Sequence, residues 1–165
     1  MTKIKLELDK LTSLLVSYHI LCAPTELNKE YNPDIFKNLA VTPEERGLYL
    51  TNLLSKGITL DKTDAARYGL FLPEFKDLES YLSSDKIPEK IKDNLRAFEN
   101  RFDPYFETVK QKVSPLLEKR QEESESVIDK IYKTSQELTG VEIEKPSELE
   151  IRIVEGIAPS SIPYT

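Results

Sequence analysis

The chain has 165 residues, of which 39% are hydrophobic and 32% are charged, and its net charge is −6. This length and composition suit one folded domain with its own core and exclude a chain that is disordered throughout. Because nucleic-acid binding needs a basic face and a membrane helix needs roughly 18 consecutive apolar residues, we expect an acidic cytoplasmic protein that binds neither nucleic acid nor membranes.

The first part of the chain predicts a strand followed by a helix. Ile4–Leu8 alternates apolar and charged residues, which is the pattern of a half-buried strand. Asp9 is placed to cap a helix that runs through Cys22 and stops before Pro24. By the helical period, one face of this helix points inward. That face consists of Leu11, Leu14, Leu15, Tyr18 and Leu21 or Cys22.

The clearest helix start in the chain is at Thr42-Pro43-Glu44-Glu45. Thr42 can cap the helix, Pro43 suits its first position, and Glu45 can reach back to the backbone N–H of Thr42. We expect this helix to end at Gly57. Residues 24–41, before it, predict a long connection with a short helix near Asp34–Leu39.

Weaker patterns lead to the longest predicted helix. Short helices are expected over residues 61–69 and after Pro73, and a longer helix is expected to start at Pro88. The pair Asp103-Pro104 then begins a helix over residues 104–139, whose first apolar patch should pack against the helix from Pro88. Because an interior proline removes a hydrogen-bond donor and costs roughly 3 kcal/mol, Pro115 either kinks or breaks the long helix.

Beyond Gly140 the apolar pattern alternates again. Val141–Glu144 and Leu149–Val154 predict the two strands of an antiparallel hairpin, and Ile4–Leu8 is a candidate third strand. The predicted fold class is therefore α+β and mostly α. It has a helical body, the long helix over 104–139 and a small antiparallel sheet. A single domain is expected over residues 1–157, with a tail at 158–165.

Few residues could carry chemistry. His19 is the only histidine, which excludes zinc sites that need two or three histidines from this chain. Cys22 follows three residues later on the same helical face, so a Cys–His pair is a candidate. The sequence favours a core imidazole beside a buried thiol, since no orienting acid or oxyanion-hole loop is visible. No Glu-x-x-His motif or glycine-rich phosphate loop occurs. We expect no catalytic residues, no metal and no cofactor.

The last part of the long helix carries apolar residues whose packing partner is missing from the pattern. These residues follow the polar stretch from Glu118 to Ser126 and are Val127, Ile128, Ile131 and Tyr132. They predict a partner surface on a non-enzymatic interaction or structural module, which binds a protein partner or forms a homodimer. An alternative is the helical front portion or degenerate half of an enzyme, such as a metallopeptidase, whose catalytic motif is absent here. A third is a small hydrophobic ligand bound between the helices.

Overall fold

The computed structural model describes residues 3–24, 26–55, 75–83, 87–142, 144 and 146–155. Their elements, in chain order, are β1 (Lys3–Leu8), α1 (Lys10–Cys22), α2 (Glu26–Tyr31), α3 (Pro33–Asn38), α4 (Pro43–Ser55), α5 (Leu78–Leu82), α6 (Glu89–Thr139) and β2 (Glu148–Ile153). The described part of the chain is mostly helical, as predicted. The predicted helix over residues 61–69, the predicted boundaries at Gly57 and Pro73, and the tail at 158–165 lie outside the described residues.

The chain divides into two compact units. The first, the sheet unit, contains Met1–Leu8 and Thr108–Ile153, and the second, the helical unit, contains Asp9–Glu107 and Val154–Thr165. Helix α6 contributes its first part to the helical unit and the rest to the sheet unit. The predicted single domain over residues 1–157 stays a prediction.

In the sheet unit, β1 and β2 pair side by side in parallel. Ile4 lies opposite Leu149, and the register continues so that apolar residues of both strands share one face and charged residues share the other. The predicted antiparallel hairpin is therefore wrong. Val141, Glu142 and Glu144 are not in a strand. Parallel strands need a long crossover connection, and here the helices between β1 and β2 provide it, which the local pattern around Gly140 could not reveal.

The first strand is held against the second part of α6. The side chain of Ile4 is only 1% exposed, and its backbone N–H donates to Glu125 Oε1 at 3.1 Å. The backbone N–H of Lys3 donates to the carbonyl of Ser147 at 3.0 Å, at the start of β2. The N-terminal strand that the sequence offered as a candidate is thus confirmed as a member of the sheet.

Helix α6 passes through Pro104 and Pro115 without a break. The predicted helix start at Pro104 is therefore wrong, and of the two alternatives at Pro115, kink or break, the break is excluded. The apolar patch from Phe102 lies on the same helix as the residues that follow Pro88, so it does not pack against a separate helix there. Burial on both sides of Pro104 explains the continuity near that residue, because Phe102 and Phe106 lie on one face with ring centroids 5.5 Å apart. Such packing offsets the cost of an interior proline. The predicted end of the helix at Gly140 is confirmed, with φ of 66°.

Helix α1 is the centre of the helical unit. Asp9 caps it by accepting from the backbone N–H of Thr12 at 2.9 Å, as predicted. The prediction of a single inward face is wrong, because every residue from 11 to 22 is buried. Tyr18 packs against Phe98 of α6, with ring centroids 5.0 Å apart, and against Tyr49 of α4 at 5.3 Å. A helix covered on all sides does not need an amphipathic period, so the spacing of its apolar residues does not identify a single buried face.

The start of α4 is the capping box that the sequence predicts. The backbone N–H of Thr42 donates to Glu45 Oε2 at 2.6 Å, and the backbone N–H of Glu45 donates to Thr42 Oγ1 at 3.1 Å. The short helix expected near Asp34–Leu39 is α3, which begins at Pro33. The prediction of a connection is wrong in the first part of residues 24–41, where Glu26–Tyr31 forms α2.

Candidate functional site

The side chain of His19 lies in the core of the helical unit. It is 9% exposed, and its Nδ1 lies 2.8 Å from the hydroxyl of Tyr49. Burial lowers the pKa of His19 to about 4. The imidazole is therefore neutral at neutral pH, and its bond to Tyr49 joins α1 to α4.

The side chain of Cys22 is 1% exposed. Burial raises the pKa of its thiol to about 12, so the thiol stays protonated at neutral pH. Burial likewise raises the pKa of the neighbouring Tyr18. A nucleophilic cysteine needs a thiolate and access to its substrate, and this environment supplies neither. The geometry of His19 and Cys22 matches the alternative of a core imidazole and a buried thiol.

A buried carboxylate lies nearby in the same unit. The side chain of Glu45 is 7% exposed and forms an ion pair with Arg101 of α6, whose guanidinium lies 5.6 Å from the ring centroid of Phe98. Both interactions of this carboxylate are structural. The ion pair with Arg101 joins α4 to α6, and the hydrogen bond from the backbone N–H of Thr42 completes the capping box. Within the described ranges, no three His, Cys, Asp or Glu side chains are grouped so that they could hold a metal ion.

The strongest candidate for a functional surface is on the sheet unit's part of α6. Four large apolar side chains there are more than half exposed. They are Leu116 (62%), Val127 (52%), Ile131 (53%) and Leu138 (81%). With 3.6 residues per turn, they lie within an arc of about 60° on the helix. We call these four residues the α6 stripe.

The stripe includes half of the predicted partner surface. Val127 and Ile131 belong to it, whereas Ile128 and Tyr132 are half-buried on the adjacent side of the helix. Sequence reasoning missed Leu116 because the polar stretch from Glu118 to Ser126 separates it from Val127. It also left out Leu138, which lies about two helical turns beyond Ile131 with no such interruption. The helical period would have found both, because the 11 residues from Leu116 to Val127 and the 11 from Val127 to Leu138 each make just over three full turns.

The sheet does not approach α6 from the side of the stripe. Glu125, which accepts from the backbone of Ile4, lies roughly 150° around the helix from the centre of the stripe. One edge of the stripe is bordered by exposed charged side chains. These are Lys119, Glu123, Lys130 and Glu137. Arg120 lies within the arc of the stripe itself, and its guanidinium pairs with Glu123 at 2.6 Å.

Among the helices that the structure describes, none has an apolar segment long enough to cross a membrane. A scan against protein-family models and searches of curated proteins and of solved structures found no match to this chain. The candidate function therefore depends on the geometry of the chain itself.

Proposed function

We propose that this protein is a non-enzymatic interaction module whose α6 stripe binds a helix of a protein partner. One observation carries the proposal. Four large apolar side chains, spread over about 33 Å of helix, lie on one narrow arc and are more than half exposed. Burying apolar surface yields about 25 cal/mol per Å², so covering this stripe with a partner is favourable.

The shape of the stripe favours a helix as the partner. It is narrow and runs along α6, and two facing helices bury apolar rows of this kind along their seam. Val127 and Ile131 are one turn apart at its centre, where they can interdigitate with side chains of a second helix. Charged residues border the seam in the way that polar rims surround the apolar centres of protein interfaces.

The test compares the wild-type chain with a double variant, Val127→Ser and Ile131→Ser. Tagged protein is immobilised and offered untagged copies of the same chain together with cytosolic extract, and all bound proteins are quantified by mass spectrometry. We expect the wild type to retain untagged copies or a defined partner, and the double variant to lose most of that binding, since the centre of the seam becomes polar.

The matched control is the double variant Glu122→Ser and Lys133→Ser, which changes two exposed residues away from the stripe and keeps the net charge. Its binding should equal that of the wild type, and circular dichroism should show similar melting temperatures for all three proteins. Equal binding by the stripe variant and the wild type would contradict the proposal. The enzyme alternative and the small hydrophobic ligand stay predictions, and no observation here favours them.

A further inference from the structure

We propose that the partner helix is α6 of a second copy of this chain, and that the two stripes pair antiparallel about a twofold axis at Val127. This inference depends on the proposed function and identifies its partner. Most homo-oligomers are built on twofold axes, where the same patch on each copy must complement itself. Three of the four residues of the α6 stripe meet that requirement, and so do the charged residues along its edge.

Three of the four apolar residues of the stripe are symmetric about Val127, and the fourth, Ile131, lies opposite Glu123 of the second copy. Leu116 precedes Val127 by 11 residues and Leu138 follows it by 11. In an antiparallel pair centred at Val127, Leu116 of each copy therefore lies opposite Leu138 of the other. Val127 meets its own counterpart on the axis. The two most exposed residues of the stripe, Leu138 and Leu116, then cover one another at both ends of the seam.

The charged edge is also complementary to itself. When helices pair antiparallel, the same edge of each helix faces the other. Glu123 lies four residues before Val127 and Lys130 three residues after it, while Lys119 lies eight before and Glu137 ten after. Glu123 thus faces Lys130 of the second copy, and Lys119 faces Glu137, each within about 3 Å of register. The twofold axis repeats both pairs, so four pairs of opposite charge border the seam.

A parallel pairing lacks these features. It would place Arg120, which lies within the arc of the stripe, directly against Arg120 of the second copy, and like charges in a seam repel. The antiparallel pairing separates the two Arg120 residues by 14 positions, or about 21 Å along the axis. In a parallel pair the charged edge would also face the other edge of the stripe, where Ser124, Ile128 and Ser135 carry no charge.

The first test reverses charges on this edge and measures self-association by sedimentation equilibrium. Glu123→Lys alone and Lys130→Glu alone each convert two attractive pairs into repulsive ones, and we expect each to raise the dimer dissociation constant roughly tenfold. Both changes in one chain should restore the wild-type constant. A mixture of the two single variants should form mixed dimers in preference to either homodimer. No weakening in the single variants, or no recovery in the double variant, would overturn the proposed pairing.

The second test fixes the orientation by disulfide cross-linking. In a Cys22→Ala background, which removes the only native thiol, Leu116→Cys and Leu138→Cys chains are oxidised separately and as a mixture. The antiparallel pairing predicts a cross-linked dimer in the mixture and little in either chain alone. Cross-linking of Leu116→Cys with itself would indicate a parallel pair, which overturns this inference and still supports the proposed function. A wild-type chain that stays monomeric at all concentrations in sedimentation equilibrium overturns this inference. The proposed function would still be supported if, in the capture experiment, the wild type retains a different protein and the stripe variant loses it.

Discussion

Glu45 and Arg101 are 56 residues apart in the chain and form an ion pair in which the carboxylate is buried and the guanidinium is partly exposed. The same carboxylate accepts from the backbone N–H of Thr42 at the start of α4. One side chain thus completes a local helix cap and also connects two helices across the helical unit. Local and long-range stability depend on it together.

We expect Arg101→Ala to lower the free energy of unfolding by about 1–3 kcal/mol, because the Glu45 carboxylate is left buried without its cation. The partial exposure of Arg101 keeps the loss toward the lower end of that range. Glu45→Gln should retain the cap, since glutamine serves equally in a capping box, and should remove the ion pair. Urea unfolding of both single variants and the double variant measures the coupling. Additive losses would contradict the proposed pairing energy.

His19 should make stability depend on pH. Its pKa is about 4 in the folded protein and 6.5 in its ordinary state, so the unfolded chain binds a proton more readily between these values. The contribution of His19 to the free energy of unfolding is therefore fully present above pH 6.5, and it decreases as the pH falls toward 4. The difference between the two pKa values corresponds to a loss of about 3 kcal/mol in the free energy of unfolding.

The matched variant for this effect is His19→Gln, which retains a polar partner for Tyr49 and does not titrate in this range. Carboxylates also titrate at low pH, so the measured quantity is the wild-type free energy of unfolding minus that of the variant, from urea unfolding between pH 7 and pH 4. This difference should decrease steadily with falling pH. A difference that stays constant would show that His19 titrates normally in the folded protein.

Pro115 lies exposed in the interior of α6. Replacing it with alanine restores a backbone hydrogen-bond donor and removes a steric clash with the preceding turn. Together these two effects of a proline destabilise the interior of an ideal helix by roughly 3 kcal/mol. Since the helix has already adapted to the proline, we expect Pro115→Ala to raise the free energy of unfolding by about 1–2 kcal/mol. Pro43→Ala is the control, because proline suits the first position of α4. It should give no increase, and an equal increase in both variants would contradict the argument.

Gly140 adopts φ of 66° just after α6, and its backbone N–H donates to the carbonyl of Gln136 at 2.9 Å. An alanine there is strained in the left-handed conformation, so Gly140→Ala should lower the free energy of unfolding by about 1 kcal/mol. Gly47, inside α4, offers the opposite case, since a Cβ built there meets no atom within 4 Å. Gly47→Ala should raise stability by about 0.5–1 kcal/mol. Thermal melts monitored by circular dichroism would reveal the opposite signs.

The features that the sequence determined by itself are local ones. Asp9 and the Thr42–Glu45 box identified helix starts, Gly140 identified a helix end, and alternation identified β1 and β2, because caps, left-handed turns and pleats act within a few residues. Val127 and Ile131 were found as a candidate surface in the same way, from helical spacing without a visible partner.

Tertiary structure decided the rest. Burial of Phe102 and Phe106 on one face of α6 accompanies its passage through Pro104, where the local signals favoured a new helix. The pairing of β2 with β1, rather than with the segment after Gly140, depended on a crossover of more than 100 residues. Packing also decided which part of the apolar face of α6 is buried in the core and which part is exposed as the α6 stripe. The helical period shows which residues share a face, and only packing determines whether that face is covered.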